Sequence, residues 1–182
     1  MQSVRKIQLP ITEDIAKSLK AGDELLLSGK IYTARDAAHK RLCELIDAHK
    51  TLPVDLVNQT IYFAGPTPAR PGRVIGSIGP TTSSRMDSYS PKLLEMGLRA
   101  MIGKGYRNLE VRKALKRFSA VHFAAVGGLG ALLAQAVKQA RIIAYEDLGT
   151  EAIRELIVEE FPVIVAYDCY GMSVYPGDEM LK

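Results

Sequence analysis

The chain has 182 residues, of which 47% are hydrophobic and 24% are charged, and its formal net charge at pH 7 is +4. This composition is typical of a globular protein, and the length favours a single domain over residues 1–182, while scattered cations and the absence of tryptophan argue against a general nucleic-acid surface. Charges interrupt every apolar run before it could span a membrane, and the N-terminus lacks the apolar core of a signal peptide, so we expect a cytoplasmic protein.

Apolar spacing and turn residues predict helices and strands in alternation along the chain. In chain order we predict a helix over 12–20, two strand pieces within 23–33, a helix over 34–46, the strands IYFAG and VIGSIG within 60–80, a helix from 90 to the loop at 103–105, a helix over 110–118, a strand over 121–126, a helix over 129–139, a strand over 141–145, a helix over 150–159 and a strand over 162–167. The fold class is therefore mixed α/β, and we expect a loosely held tail from Tyr170 onward.

Two helix starts carry recognisable capping residues. Thr33 is a suitable N-cap for the helix over 34–46, and Asp36 at its third position completes an approximate capping box. Ser90 and Pro91 are the residue types preferred at the N-cap and at the first helical position. These signals fix where both helices are expected to begin.

The stretch VHFAAVGGLGALLA is similar to part of a dinucleotide-binding fingerprint, with Glu146 following Gly128 at about the spacing expected of the acidic residue. The third glycine of that fingerprint is replaced by Leu133, and nothing upstream supplies a complete βαβαβ half. We favour a glycine-rich turn that packs a helix closely on the sheet. A nucleotide-binding module remains the alternative.

Arg35 is predicted at the second position of its helix, where the positive end of the helix dipole disfavours a cation. Such a placement indicates a carboxylate-binding role, and His39 lies one turn further along the same helix face. The alternative is a surface arginine neutralised by Asp36 or Asp23.

The run GPTTSSRMD over residues 79–87 places four hydroxyl side chains directly before Arg85, on a turn begun by Gly-Pro. Short donors beside a forked cation suit a ligand with both carboxylate and hydroxyl groups. Lys104, between two glycines, adds a third exposed cation. Three cations on three loops suggest a dicarboxylate ligand, although each loop could also be an ordinary polar surface.

The chain contains two cysteines, Cys43 and Cys169, and neither lies in a CxxC or Cys/His spacing. We therefore expect this chain to hold no iron or zinc by itself.

Several blocks, in this order, resemble the β subunit of iron–sulfur (class I) fumarate hydratase: SGKIYTARDAAHKRL, GPTTSSRMD, MIGKG, AAVGGLGALLA, AYEDLGTEAIRELIVEEFPVIV and YDCYG. The β subunit of L-tartrate dehydratase is a close relative of that family. The resemblance implies a swivelling β/β/α domain with a mixed sheet core flanked by helices. It also implies reversible hydration of fumarate to L-malate, with a [4Fe-4S] cluster carried by a partner α subunit and not by this chain.

The resemblance further implies roles for individual residues. Arg35, Arg85 and Lys104 match positions that bind the substrate, and Thr81 matches the hydroxyl proposed as the proton-transferring base. His39 and Thr82 match supporting positions, with Thr82 as the second choice for the base. The chain would form αβ pairs and would be inactive without the α subunit. A tartrate dehydratase subunit, a nucleotide-binding module and a non-catalytic scaffold are the other hypotheses.

Overall fold

A computed structural model of the chain describes residues 4–178. The seven strands are β1 (Arg5–Gln8), β2 (Glu24–Thr33), β3 (Thr60–Tyr62), β4 (Ala100–Gly103), β5 (Val121–Ala124), β6 (Val137–Ala144) and β7 (Ile153–Tyr167). The α-helices are α1 (Glu13–Ser18), α2 (Asp36–Asp47), α3 (Ser90–Glu95), α4 (Leu109–Arg117) and α5 (Gly130–Gln135). Two 3-10 turns cover Ser83–Met86 and Glu146–Glu151. None of the helices in this part of the chain has the length and apolar character needed to cross a membrane.

The strands form one mixed sheet in the order β1-β2-β3-β4-β5-β7-β6. Neighbouring strands from β1 to β5 are parallel, whereas β7 is antiparallel to β2, β5 and β6. Because β7 pairs with both β2 and β5, the strands β2, β3, β4, β5 and β7 form a closed ring of pairings. The predicted α/β class, with a mixed sheet flanked by helices, is confirmed.

Alternation along the strands divides the core into two clusters, because successive side chains in a strand face opposite sides of the sheet. Ile102 and Phe123 belong to the cluster that includes much of β2 and β7, whereas their neighbour Met101 packs in a second cluster. The second cluster also contains Leu42 of α2 and Leu115 of α4. The two helices therefore cover the sheet face on which Met101 lies.

The structure confirms the predicted helices over 12–20 and 110–118 and corrects four other predicted elements. The predicted helix over 150–159 is wrong, because residues 153–158 form the start of β7 between β2 and β6. The predicted strand VIGSIG is also wrong: Thr67 donates to Ser77 and Ile78 donates to Gly130, and these bonds hold a loop.

The helix predicted from Ser90 ends earlier than expected, at Glu95. Gly97 adopts a φ of 97°, a left-handed conformation that ends a helix readily, and the chain then continues as β4. The helix predicted over 129–139 likewise ends at Gln135, and β6 begins two residues later.

The predicted tail makes specific contacts as far as Asp178. Tyr170 donates its hydroxyl to the Lys17 carbonyl at 2.8 Å, and the Gly105 N–H donates to the Tyr175 hydroxyl at 3.1 Å. Residues 179–182 of this predicted tail lie outside the described residues.

Candidate functional site

The start of α2 differs from its prediction. Arg35 lies at the N-cap in an extended conformation instead of inside the first turn, and Thr33 is the last residue of β2. The predicted capping box is wrong, because the side chain that caps the helix is Glu151, whose carboxylate accepts from the Ala37 N–H at 2.8 Å. Glu151 also lies 3.6 Å from the Arg35 guanidinium. Glu151 therefore supplies the negative charge that both the helix dipole and Arg35 require.

Asp36 connects two of the predicted substrate-binding residues. Its two carboxylate oxygens accept from Nε and Nη2 of Arg85, both at 2.9 Å, and one of them lies 3.8 Å from Nε of Arg35. The two guanidinium groups therefore flank one carboxylate. The alternative in which Asp36 pairs with Arg35 agrees with this geometry, whereas Asp23 instead accepts from the Lys20 N–H.

Lys104 lies beside the turn that carries the predicted base. The Ser83 N–H donates to the Lys104 carbonyl at 2.8 Å, and Thr82 forms a bridge with Lys104. Thr81 is half-buried and donates its N–H to the Phe63 carbonyl at 2.6 Å. The Lys104 side chain is exposed, and within residues 4–178 its ammonium group has no ion-pair partner. The Lys104 backbone thus pairs with the hydroxyl-rich turn, while its ammonium group lies beside Gly127, 3.8 Å from the position of an added Cβ atom.

The sheet topology explains why these residues meet. Arg35 follows the carboxyl end of β2, Lys104 follows β4, and the glycine-rich turn at 126–130 follows β5. Because β2 to β5 are parallel neighbours, all three segments leave the same edge of the sheet. The carboxyl edge of a parallel sheet is where α/β proteins place their ligands.

The glycine-rich turn is a packing device. A Cβ atom on Gly130 would lie 2.8 Å from the Gly79 nitrogen and 2.5 Å from Oγ of Ser77, and the Gly130 carbonyl accepts from the Ile78 N–H. This close approach packs α5 against the residues that precede Thr81. In addition, β6 pairs with β7 and not with β5, so β5, α5 and β6 do not form the βαβ unit that a dinucleotide site requires.

His39 is fully buried, and its contacts hold the start of α2. Its Nδ1 lies 2.8 Å from the Arg35 carbonyl, and because a carbonyl can only accept, this nitrogen carries the proton. Burial lowers the pKa of His39 to about 4, so the imidazole is neutral near pH 7. The supporting role of His39 in the reaction stays a prediction.

Sequence reasoning missed a buried polar network that contacts the 3-10 turn Ser83–Met86. Arg107 donates from Nε to Asp87 at 2.7 Å and from Nη2 to Ser90 at 2.5 Å, and its Nη1 lies 3.1 Å from Nδ1 of His122. The other imidazole nitrogen of His122 lies 3.0 Å from Oγ of Ser83. Arg107 and His122 belong to no recognisable sequence motif. A histidine within the predicted buried strand VHFA was the only feature of the sequence that indicated a buried polar contact.

The two cysteines lie apart in the structure and are both buried. Cys43 contacts the Tyr89 carbonyl and Cys169 contacts the Ala16 carbonyl, and burial raises the pKa of each thiol. Residues 4–178 contain no group of three His, Cys, Asp or Glu side chains arranged to hold a metal ion.

Two guanidinium groups, a free ammonium group and a hydroxyl-rich turn at one sheet edge define an α/β domain suited to a small carboxylate ligand. The family model described as "Fumarase C-terminus" matches residues 1–177. The chain therefore belongs to the fumarase C-terminus family.

Similar proteins divide into two groups by length. A Methanocaldococcus jannaschii protein provisionally named L(+)-tartrate dehydratase subunit beta is 41% identical over 171 residues, which are 91% of this chain and 88% of that protein. The anaerobic class I fumarate hydratase of Escherichia coli K12 is 42% identical over 153 residues, 83% of this chain and 28% of that enzyme. Fumarate hydratase 2 of Leishmania major is 35% identical over 156 residues, 85% of this chain and 28% of that enzyme. The chain thus matches little more than a quarter of each of these two fumarate hydratases.

Proposed function

We propose that this chain is the β subunit of a hydro-lyase that reversibly hydrates fumarate to L-malate. It would act with an α subunit that carries a [4Fe-4S] cluster, as the family resemblance implies. The observation that carries the proposal is the pair of guanidinium groups, Arg35 and Arg85, on either side of one carboxylate. A pair of cations that accommodates the carboxylate of Asp36 is chemically suited to a substrate carboxylate.

In the proposed reaction, the cations of the site stabilise negative charge that develops on the substrate. Removing a proton from the carbon next to a carboxylate builds negative charge on that carboxylate, so cations fixed beside it stabilise the transition state more than the ground state. Arg85 would exchange its forked contact with Asp36 for one with the substrate. Lys104, which has no ion-pair partner within residues 4–178, would bind the second carboxylate or the hydroxyl region.

Thr81 is the proposed base, and Thr82 is the second choice. A threonine hydroxyl is a poor proton acceptor near neutrality, so nearby cations are needed to stabilise its deprotonated form. The backbone of Lys104 pairs with that of Thr82, so the segment that carries this cation lies beside the turn. This pairing supports the assignment of the base to residues 81–82.

L-Tartrate dehydration is the second candidate function. The match over 91% of this chain and 88% of a protein provisionally named as a tartrate dehydratase subunit favours it. Tartrate and malate are both hydroxy dicarboxylates, so the same cations would bind either one. The difference between them is a second hydroxyl group, for which the hydroxyl run at 81–84 offers hydrogen-bonding partners.

The test is anaerobic co-expression of this chain with a cluster-bearing α subunit, followed by assays of fumarate hydration and tartrate dehydration on the same preparation. We expect the complex to hydrate fumarate, and each subunit alone to be inactive. Faster turnover of tartrate would favour the second candidate. A stable complex that turns over neither substrate would favour a non-catalytic scaffold.

A further inference from the structure

One buried guanidinium group holds both ends of the 3-10 turn Ser83–Met86. Arg107 binds Asp87, the residue that ends the turn, and reaches Ser83 at its start through His122. Arg107 is 3% exposed, and His122 and Ser83 are fully buried. The hydrogen bonds that link Arg107, His122 and Ser83 are therefore shielded from water, which strengthens them.

The direction of each hydrogen bond follows from the chemistry of the donors. A guanidinium group can only donate, so Nδ1 of His122 accepts from Arg107 and carries no proton. The proton of the neutral ring is then on Nε2, which donates to Oγ of Ser83. Burial, followed by the nearby Arg107 charge, lowers the pKa of His122 well below its usual value, which keeps the ring in this neutral form.

Ser83 lies at the junction of the proposed active groups. It is two residues from Thr81 and two from Arg85, and its N–H donates to the carbonyl of Lys104. Its Oγ fills the space beside Gly103, where a Cβ atom would lie only 2.2 Å away. A displacement of Ser83 would therefore move the base, one guanidinium group and the backbone of the ammonium group together.

We propose that His122 is a positioning residue of the hydro-lyase, which fixes the turn carrying Thr81 and Arg85 through its hydrogen bond to Ser83, while Arg107 sets the tautomer of His122 and holds Asp87 at the other end of the turn. This inference rests on the proposed function. Neither residue touches the substrate, and both act on turnover through the position of the turn.

Two substitutions of His122 each remove one of its two hydrogen bonds, the one to Ser83 or the one from Arg107. An asparagine amide places its oxygen near the position of Nδ1, so His122→Asn can still accept from Arg107 but cannot donate to Ser83. A glutamine amide reaches the position of Nε2, so His122→Gln can still donate to Ser83 but loses the contact with Arg107. Each variant loses one of two buried hydrogen bonds, so we expect similar decreases in melting temperature.

In the assembled αβ complex we expect His122→Asn to lower kcat about tenfold, because the free energy of one buried hydrogen bond corresponds to roughly one order of magnitude in rate. We expect the kcat of His122→Gln to stay within about threefold of wild type. Ser83→Ala should match His122→Asn. Equal losses of kcat in the two His122 variants, in proportion to their melting temperatures, would overturn the inference and leave a merely stabilising network.

Hydrogen exchange on the isolated full-length chain keeps the inference separate from the proposed function. We expect the amides of Ser83 and Arg85 to exchange faster in His122→Asn than in His122→Gln. If the wild-type complex turns over neither fumarate nor tartrate, the proposed function fails, and this comparison alone decides whether His122 fixes the turn. Equal exchange in the two variants would refute that role.

Discussion

Replacement of Arg85 by lysine separates a role in ligand binding from a role in stability. Arg85 grips Asp36 with two nitrogens at 2.9 Å, yet half of its side chain is exposed. Because exposed ion pairs contribute at most about 1 kcal/mol, Arg85→Lys should barely change the free energy of unfolding. The substitution keeps the charge and removes the fork that binds two carboxylate oxygens at once.

The expected loss of activity is larger than the loss of stability. A hydrogen bond to a charged group contributes about 1.5 to 3 kcal/mol, and losing one such bond to the substrate corresponds to a roughly tenfold to hundredfold decrease in kcat/KM. The assay is fumarate hydration by the αβ complex under anaerobic conditions, with thermal unfolding of the same variant measured in parallel.

Arg41→Lys is the matched control. Arg41 also donates from two nitrogens to one carboxylate, from Nη1 and Nη2 to Asp147 at 2.9 and 2.5 Å, and is not one of the proposed substrate-binding residues. We expect Arg41→Lys to retain wild-type kcat/KM. Wild-type kcat/KM in Arg85→Lys as well would show that Arg85 does not bind the substrate.

Four further substitutions or conditions test other parts of the site. Gly103→Ala should reduce kcat at least tenfold, because its Cβ would lie 2.2 Å from Oγ of Ser83 and displace the turn; unchanged turnover would mean that the turn adjusts freely. Thr81→Val should abolish exchange of the substrate carbon-bound proton while Thr81→Ser retains it, and exchange in the valine variant would move the base elsewhere. Arg35→Ala should raise KM or lower kcat more than it lowers melting temperature, whereas a purely thermal effect would make Arg35 structural. His39 has a pKa of about 4 in the folded state and about 6.5 in the unfolded state, so acidification below pH 6.5 should reduce the free energy of unfolding by up to about 1.4 kcal/mol per pH unit. Urea unfolding midpoints measured from pH 7.5 to 5.5 should fall less steeply with decreasing pH in His39→Gln than in wild type. Equal pH dependence of the midpoints in the two proteins would contradict this.

The fold was predictable where local signals and tertiary pairing agree. Thr12 and Asn108 cap α1 and α4 with their side chains, and both helices lie where the apolar spacing predicted them. The start of β7 shows the opposite case. The letters TEAIRELIVEE contain good helix formers, but pairing with β2 on one side and β6 on the other holds these residues as a strand.

The sequence names candidate residues for the site but not the side chains that contact them. Arg35, Arg85 and Lys104 were proposed from loop chemistry and family resemblance. The structure places Arg35 and Lys104 on segments that leave one sheet edge, and Arg85 on a turn that contacts both segments. Glu151, which caps α2 and faces Arg35, is more than a hundred residues away along the chain, so no spacing could reveal it. Buried partners that come from distant segments depend on the sheet topology, which the sequence alone does not display.

The long strand β7 has a consequence for synthesis of the chain. It is the last strand of the described residues, and it pairs with β2, β5 and β6. Until residues 153–167 leave the ribosome, the edges of β2 and β5 have unpaired N–H and C=O groups, which can pair with other chains. We expect a nascent chain that stalls before this point to be a strong substrate for chaperones.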